Sequence, residues 1–110
     1  MTEHRCHAHG CERSVPPSRF ACEQHWFTLR KPLRDAIWRE YRSGQERDKR
    51  PSPRYCAVQR LAVAELAFKP NDEQAARTVA FYLQHALRWR QQAIEEGLGD
   101  PLAGLLPAGS

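Results

Sequence analysis

Three cysteines and one histidine within twenty residues, Cys6, Cys11, Cys22 and His25, constrain this chain more than anything else in it. Their spacing is C-x4-C, ten intervening residues, then C-x2-H. Structural zinc takes four nitrogen or sulfur ligands in a tetrahedron, usually as two close pairs joined by a turn. Cys6 and Cys11 bracket HAHG, where Gly10 can supply a left-handed turn residue. The link SVPPS is too turn-rich to be a central strand or helix. Cys22 and His25, three apart, fall on one face of an incipient helix and can point at one ion.

Other chemistries explain these residues less well. A disulfide leaves one of the three cysteines over and does not account for His25. A thioredoxin-like redox pair needs C-x-x-C, which is absent. A catalytic zinc keeps a coordination position open and works beside a general base. Here four ligands are in place, Glu12 and Glu23 read as solvent-facing, and the chain is expected not to be an enzyme. Any of His4, His7 and His9 could replace a cysteine, and that alternative stays open; otherwise they read as surface residues, with His7 and His9 able to hydrogen-bond the ligands. The first ten residues carry no apolar leader and no run approaches the ~20 residues of a membrane span. The expected compartment is therefore cytoplasmic, with no membrane partner, where reduced thiols favour metal.

The amino-terminal residues hold Val15, Phe20, Trp26, Phe27 and Leu29, too few large apolar groups for an independent core. Zinc would supply the missing stability, and Trp26 and Phe27 would pack this lobe (1–30) onto the rest of the chain. Residues 31–96 read as a three-helix body, so the fold class is mainly α: a zinc-knuckle lobe on a helical body with a long last helix. The first helix is KPLRDAIWREYRSG, with Pro32 in its first turn, an apolar face of Leu33, Ala36, Ile37, Trp38 and Tyr41, and Gly44 as its stop. SGQERDKRPSP is a loop. Ser52 caps a second helix, apolar nearly all round through Tyr55, Val58, Leu61, Val63, Leu66 and Phe68, so it belongs at the centre. Cys56 reads there as a small buried hydrophobe. Asn71 and Gln74 form a capping-box-like start to a third helix, Asp72 to Glu96. Its apolar arc is Ala75, Val79, Tyr82, Leu83, Ala86, Leu87, Trp89 and Ile94, with Arg90 inside it and expected to pair with an acid at the bundle's end. Residues 97–110, GLGDPLAGLLPAGS, have no period and read as a flexible tail whose leucines could dock on a partner.

Charge is unevenly placed. The net charge is +4, but residues 30–60 hold ten Lys or Arg against four acids, a local +6. Arg30, Lys31, Arg34, Arg39, Arg42, Arg47, Lys49 and Arg50 are the candidate contacts to phosphate. On the third helix Arg77, Phe81, His85 and Arg88 form an aromatic-plus-basic patch opposite the apolar arc, suited to nucleic acid or a protein groove. No base-reading helix can be named, so sequence specificity is not expected.

The stretch from Cys6 to Phe68 resembles a group of small phage and prophage zinc-finger proteins. They share the C-x4-C…C-x2-H-W opening, a P-x-x-L-R-x-x-[IV]-W helix, an R-x-G-Q turn and an alanine-rich helix after Pro-Ser-Pro. The opening is also similar to the zinc module of phage HNH-type recombination endonucleases. The resemblance implies zinc at Cys6, Cys11, Cys22 and His25 and a mobile-element origin. It brings no nuclease residues, since no His-Asn-His arrangement exists and Asn71 is the only asparagine. Two functions are expected to compete: a zinc protein that binds nucleic acid or regulates through its arginine-rich surface, and an adaptor or inhibitor of a host protein, such as an anti-defence factor, using the arginine loop and the Phe81 patch. A homodimer is compatible with either.

Overall fold

The computed structural model describes residues 5–6, 11–15, 20–41 and 52–106. Four helices lie among them: α1 (Glu23–Thr28), α2 (Lys31–Glu40), α3 (Pro53–Ala67) and α4 (Glu73–Glu95). The fold is mainly helical, and the only pairing of extended backbone among the described residues is one antiparallel bridge between Arg5 and Ser14. No described helix is long and apolar enough to cross a membrane.

Each helix boundary has a local cause. Lys31 and Pro32 open α2, where a missing N–H costs nothing, and Lys31 Nζ reaches Asp35 one turn on at 2.8 Å. Leu33, Ala36 and Ile37, at i, i+3 and i+4, are its buried face. The helix ends at Glu40 with Tyr41 as C-cap, earlier than the stop read at Gly44, which lies outside the described residues. Ser52 caps α3 as expected, its hydroxyl accepting from the Tyr55 N–H at 3.1 Å, with Pro53 at the first helical position. The cap of α4 is Asp72, whose carboxylate accepts from the Ala75 N–H at 2.9 Å. Asn71 instead takes the left-handed turn, with φ 59°. Asparagine tolerates that region through local hydrogen bonding, so the two neighbours divide the work of turning and capping.

α3 is the centre. Eight of its fifteen residues are buried, from Cys56 to Ala64. The five residues 68–72 turn the chain so that α4 packs along α3 as a helical hairpin, while α2 lies on another side of α3. Ala57, Ala62 and Ala64 of α3 and Ala75, Ala86 and Ala93 of α4 are buried, and small residues let the helix axes approach. Tyr82, Leu83 and Trp89 fill in around them. Phe68 lies beyond the helix end and is exposed, and Leu87 and Ile94, at the edges of the apolar arc, are also exposed. Phe27 is 63% exposed and so is not core, whereas Trp26 packs against the core as expected.

The largest departure from the sequence reading is the segment after α4. Gly97, at φ 77°, ends the helix: its N–H donates to the Ile94 carbonyl at 3.1 Å and the Leu98 N–H to the Ala93 carbonyl at 2.9 Å, a Schellman cap. The chain then folds back and buries Pro101, Leu102 and Leu105. Through residue 106 it is part of the core, not a flexible tail; 107–110 lie outside the described residues. Four arginines hold it. Arg30 donates to the Leu105 carbonyl at 2.8 Å, Arg39 to that of Pro101 at 3.3 Å and Arg54 to that of Leu98 at 2.7 Å. Arg90 pairs with Asp100 at 3.0 Å, the acid at the bundle's end that its position called for. A Cβ on Gly99 would lie 3.2 Å from the Arg54 guanidinium, at a backbone φ of +86°.

Arg54 also joins α3 to the end of α2 through two hydrogen bonds to Glu40, at 2.8 and 2.9 Å, and Arg39 reaches the same carboxylate at 2.7 Å. Burial raises the Glu40 pKa, but the hydrogen bonds from Arg54 and Arg39 outweigh it and hold the carboxyl below its ordinary value. A folded-state pKa below the unfolded one stabilises the protein above the unfolded value and ceases to do so as pH falls through the folded one. Glu40→Gln is therefore expected to cost about 1–3 kcal/mol at neutral pH. Urea unfolding of the two proteins side by side should show that difference constant from neutral to mildly acidic pH and shrinking once the pH falls below the ordinary glutamate value of about 4.3. A difference that grows as pH falls would contradict the assignment.

Candidate metal centre

Cys6 and Cys11 arrive on two strands of chain held by the Arg5–Ser14 bridge, with the Cys6 N–H donating to the Arg13 carbonyl at 2.9 Å. Cys22 and His25 arrive on the first turn of α1, closed by the Trp26 N–H donating to the Cys22 carbonyl at 2.8 Å. Cys22 is the N-cap, so its side chain and that of His25, three residues on, project from the same end. The short helix expected from the C-x2-H spacing is what sets that pair.

The four ligand atoms all lie within 4.8 Å of one another. His25 turns Nδ1 inward, 3.2 Å from the Cys22 sulfur and 3.5 Å from the Cys6 sulfur. A tetrahedral ion bound at 2.0–2.3 Å has ligand–ligand edges of roughly 3.3–3.8 Å, so these separations need little closing around one ion. Cys6 and Cys22 are buried, Cys11 and His25 partly so. No disulfide forms among them. Burial raises the Cys22 pKa, but the His25 backbone N–H and ring and the thiols of Cys6 and Cys11 outweigh it and hold the thiol at about 7. Near neutral pH that sulfur is therefore about half ionised to thiolate, the form a metal binds. Three sulfurs converging in a protein interior repel once ionised, and a cation at their centre is what removes that repulsion. The donor set fits a metal ion.

Glu12 and Glu23 are exposed as expected, and no carboxylate among the described residues joins the cluster. Cys56 sits apart on α3, its thiol pushed up by burial, consistent with a packing role. His4, His7 and His9 lie outside the described residues. The cluster is continuous with the body: Cys6, Phe20 and Cys22 belong to the same buried group as Leu33, Val58, Leu61 and Leu102.

The candidate phosphate contacts are dispersed among other tasks. Arg30 pairs with Glu65 at 3.0 Å, Lys31 with Asp35 and Arg39 with Glu40. Among the described members of that set, Arg34 alone has no carboxylate partner; its guanidinium lies over the Phe27 ring, 5.3 Å from the centroid. Arg42, Arg47, Lys49 and Arg50 lie outside the described residues. On α4, Phe81 is exposed, its ring 4.4 Å from that of His85, whose Nδ1 donates to the Phe81 carbonyl at 2.8 Å. Arg77, at 4.0 Å from Glu73, and Arg88 extend the same exposed stripe. The clamping roles of Arg30, Arg39 and Arg54 have no signal in local sequence, because their acceptors lie 44 to 75 residues away; only Arg90, by its place inside an apolar arc, called for the acid ten residues on.

Comparison of the chain with protein-family models, with curated proteins and with solved structures finds no match.

Proposed function

We propose that this is a small structural-zinc protein that acts by binding, not catalysis, and that its partner is nucleic acid. The reading of the metal is carried by one observation, the convergence of three thiols and His25 Nδ1 within 4.8 Å. Soft sulfur donors with one imidazole suit zinc, and four protein ligands leave no position for a reacting water. A phage or prophage origin accords with the shared opening and first helix.

The nucleic-acid reading is supported by charge. Ion pairs absorb Arg30, Lys31 and Arg39, but Arg34 remains, and residues 42–50 add four bases against two acids. If only Arg34, Arg42, Arg47, Lys49 and Arg50 meet phosphates, affinity should fall with a log–log salt slope no steeper than about −3.5 on single strands or −4.5 on duplex. All eight bases would give about −7 on duplex. Titration with labelled oligonucleotides at several salt concentrations measures it. Absent or salt-independent binding would remove the reading. The exposed Phe81 beside His85 favours a second reading, an adaptor that docks on a host protein, for which recovery of a stoichiometric partner from nuclease-treated lysate is the test.

A further inference from the structure

An aromatic cleft of about 680 Å³ opens beside the metal lobe, between α1, α2 and the start of α3. A chain of rings runs along it in edge-to-face contact. Trp26 meets Trp38 at 6.0 Å and 73°, Trp38 meets Tyr41 at 5.9 Å and 79°, and Tyr41 meets Tyr55 at 6.3 Å and 64°. Trp38 is 55% exposed although Trp26 and Tyr41 fix it on both sides. Phe27, also on the cleft, presents its ring to the Arg34 guanidinium. The Arg34 Nε is buried and has no hydrogen-bond partner among the described residues. A half-exposed indole held rigidly by its neighbours, next to a cation with no carboxylate partner among the described residues, supplies the two components that single-strand-binding surfaces combine.

We propose that this cleft is a stacking platform for unpaired bases, with Trp38 as its principal face and Arg34 holding the adjoining phosphate or stacking beside Phe27. The inference rests on the nucleic-acid reading above and specifies its substrate: single-stranded DNA or RNA. Ring centroids about 6 Å apart are nearly twice the 3.4 Å rise per base in a duplex, so only splayed bases can engage successive rings. Charge selects this occupant over an apolar peptide. Arg34 of α2 stands over Phe27 at the cleft's rim, Glu23 is the one carboxylate among the described residues that line it, and in sequence residues 42–50 carry four bases against two acids.

The test uses the metal-loaded full chain and mixed-sequence oligonucleotides of about 12 nucleotides, within the roughly 4–16 that single-strand-binding modules occupy. They are offered as single-stranded DNA, single-stranded RNA and duplex. Single strands should bind more tightly than duplex and quench tryptophan emission, with the DNA and RNA arms showing which strand is preferred. Trp38→Ala should weaken single-strand binding at least about fivefold, the lower end for loss of one stacked base, and Trp38→Phe should restore most of it. Both variants are checked for metal content and helicity, so that a folding defect is recognised. Equal affinity for duplex and single strands, unaffected by Trp38→Ala, would overturn the stacking platform and leave the nucleic-acid reading standing. Failure of every nucleic acid to bind at low salt would remove both. A change of oligomeric state in Trp38→Ala without any change in nucleic-acid affinity would show that a second copy covers the cleft, and would also overturn it.

Discussion

Cys22→Ser is expected to unfold the chain, not merely to lower its affinity for metal. Zinc binding in small modules contributes on the order of 10 kcal/mol, comparable to the whole stability of a domain this size. The loss cannot stay local. Cys6, Phe20 and Cys22 are buried in one cluster with Leu33 and Ile37 of α2 and Val58 and Leu61 of α3, so releasing the lobe opens the centre of the fold. Trp26, seated against Trp38, would lose its support at the same time. Chelation of the wild type should have the same effect, read as loss of helical circular dichroism and of protection from protease over α1 to α3. Cys56→Ala is the control. That thiol is as buried as those of Cys6 and Cys22 but lies outside the cluster, so the variant should keep its metal and lose only about 1 kcal/mol. A Cys22→Ser protein that remained folded without metal would mean that the helices alone carry the structure.

Deleting residues 98–110 is expected to be nearly as severe, which is not what a leucine-containing tail would predict. Leu102 is 1% exposed and Leu105 4%. Leu102→Ala alone should cost about 2–5 kcal/mol by removing a side chain from a closed core. Deletion removes both leucines and Pro101, and in addition removes the carbonyls that Arg30, Arg39 and Arg54 bond in this segment and the carboxylate of Arg90's partner Asp100. Those arginines would be left against an exposed apolar face, so the truncated chain should unfold at a far lower urea concentration or aggregate. If deletion from 98 onward left the midpoint unchanged, the packing of Leu102 and Leu105 would be contradicted.

These two segments also mark how far the sequence could be read. The Cys/His cluster was legible because coordination chemistry restricts spacing: two close pairs and a turn have few other uses. The central helix was legible because Ser52 and Pro53 announce its start and apolar residues surround it. The carboxyl-terminal segment was not, because its leucines follow no helical or strand period. Its path depends on glycines in left-handed turns and on arginines distant in the chain. The ion pairs of the arginines were not legible for a related reason. A run of positive charge reads as surface potential, but Arg30 meets Glu65 and Arg54 meets Glu40 only once the helices have packed. On α2, periodicity gave Trp38 an apolar face, but a wheel cannot say how far around that face the neighbours reach. Val58 and Leu33 are fully covered while Trp38, one turn on from Arg34, stands at the open edge. That edge is where the proposed binding surface lies.

X-ray absorption at the zinc edge, on protein purified without chelator and quantified for metal, tests most directly whether one ion held by Cys6, Cys11, Cys22 and His25 organises the amino-terminal lobe onto the helical body. One zinc per chain, with a first coordination shell of three sulfurs at about 2.3 Å and one nitrogen at about 2.0 Å, is the expected result. Folded protein free of transition metal, or zinc surrounded chiefly by nitrogen and oxygen, would contradict it.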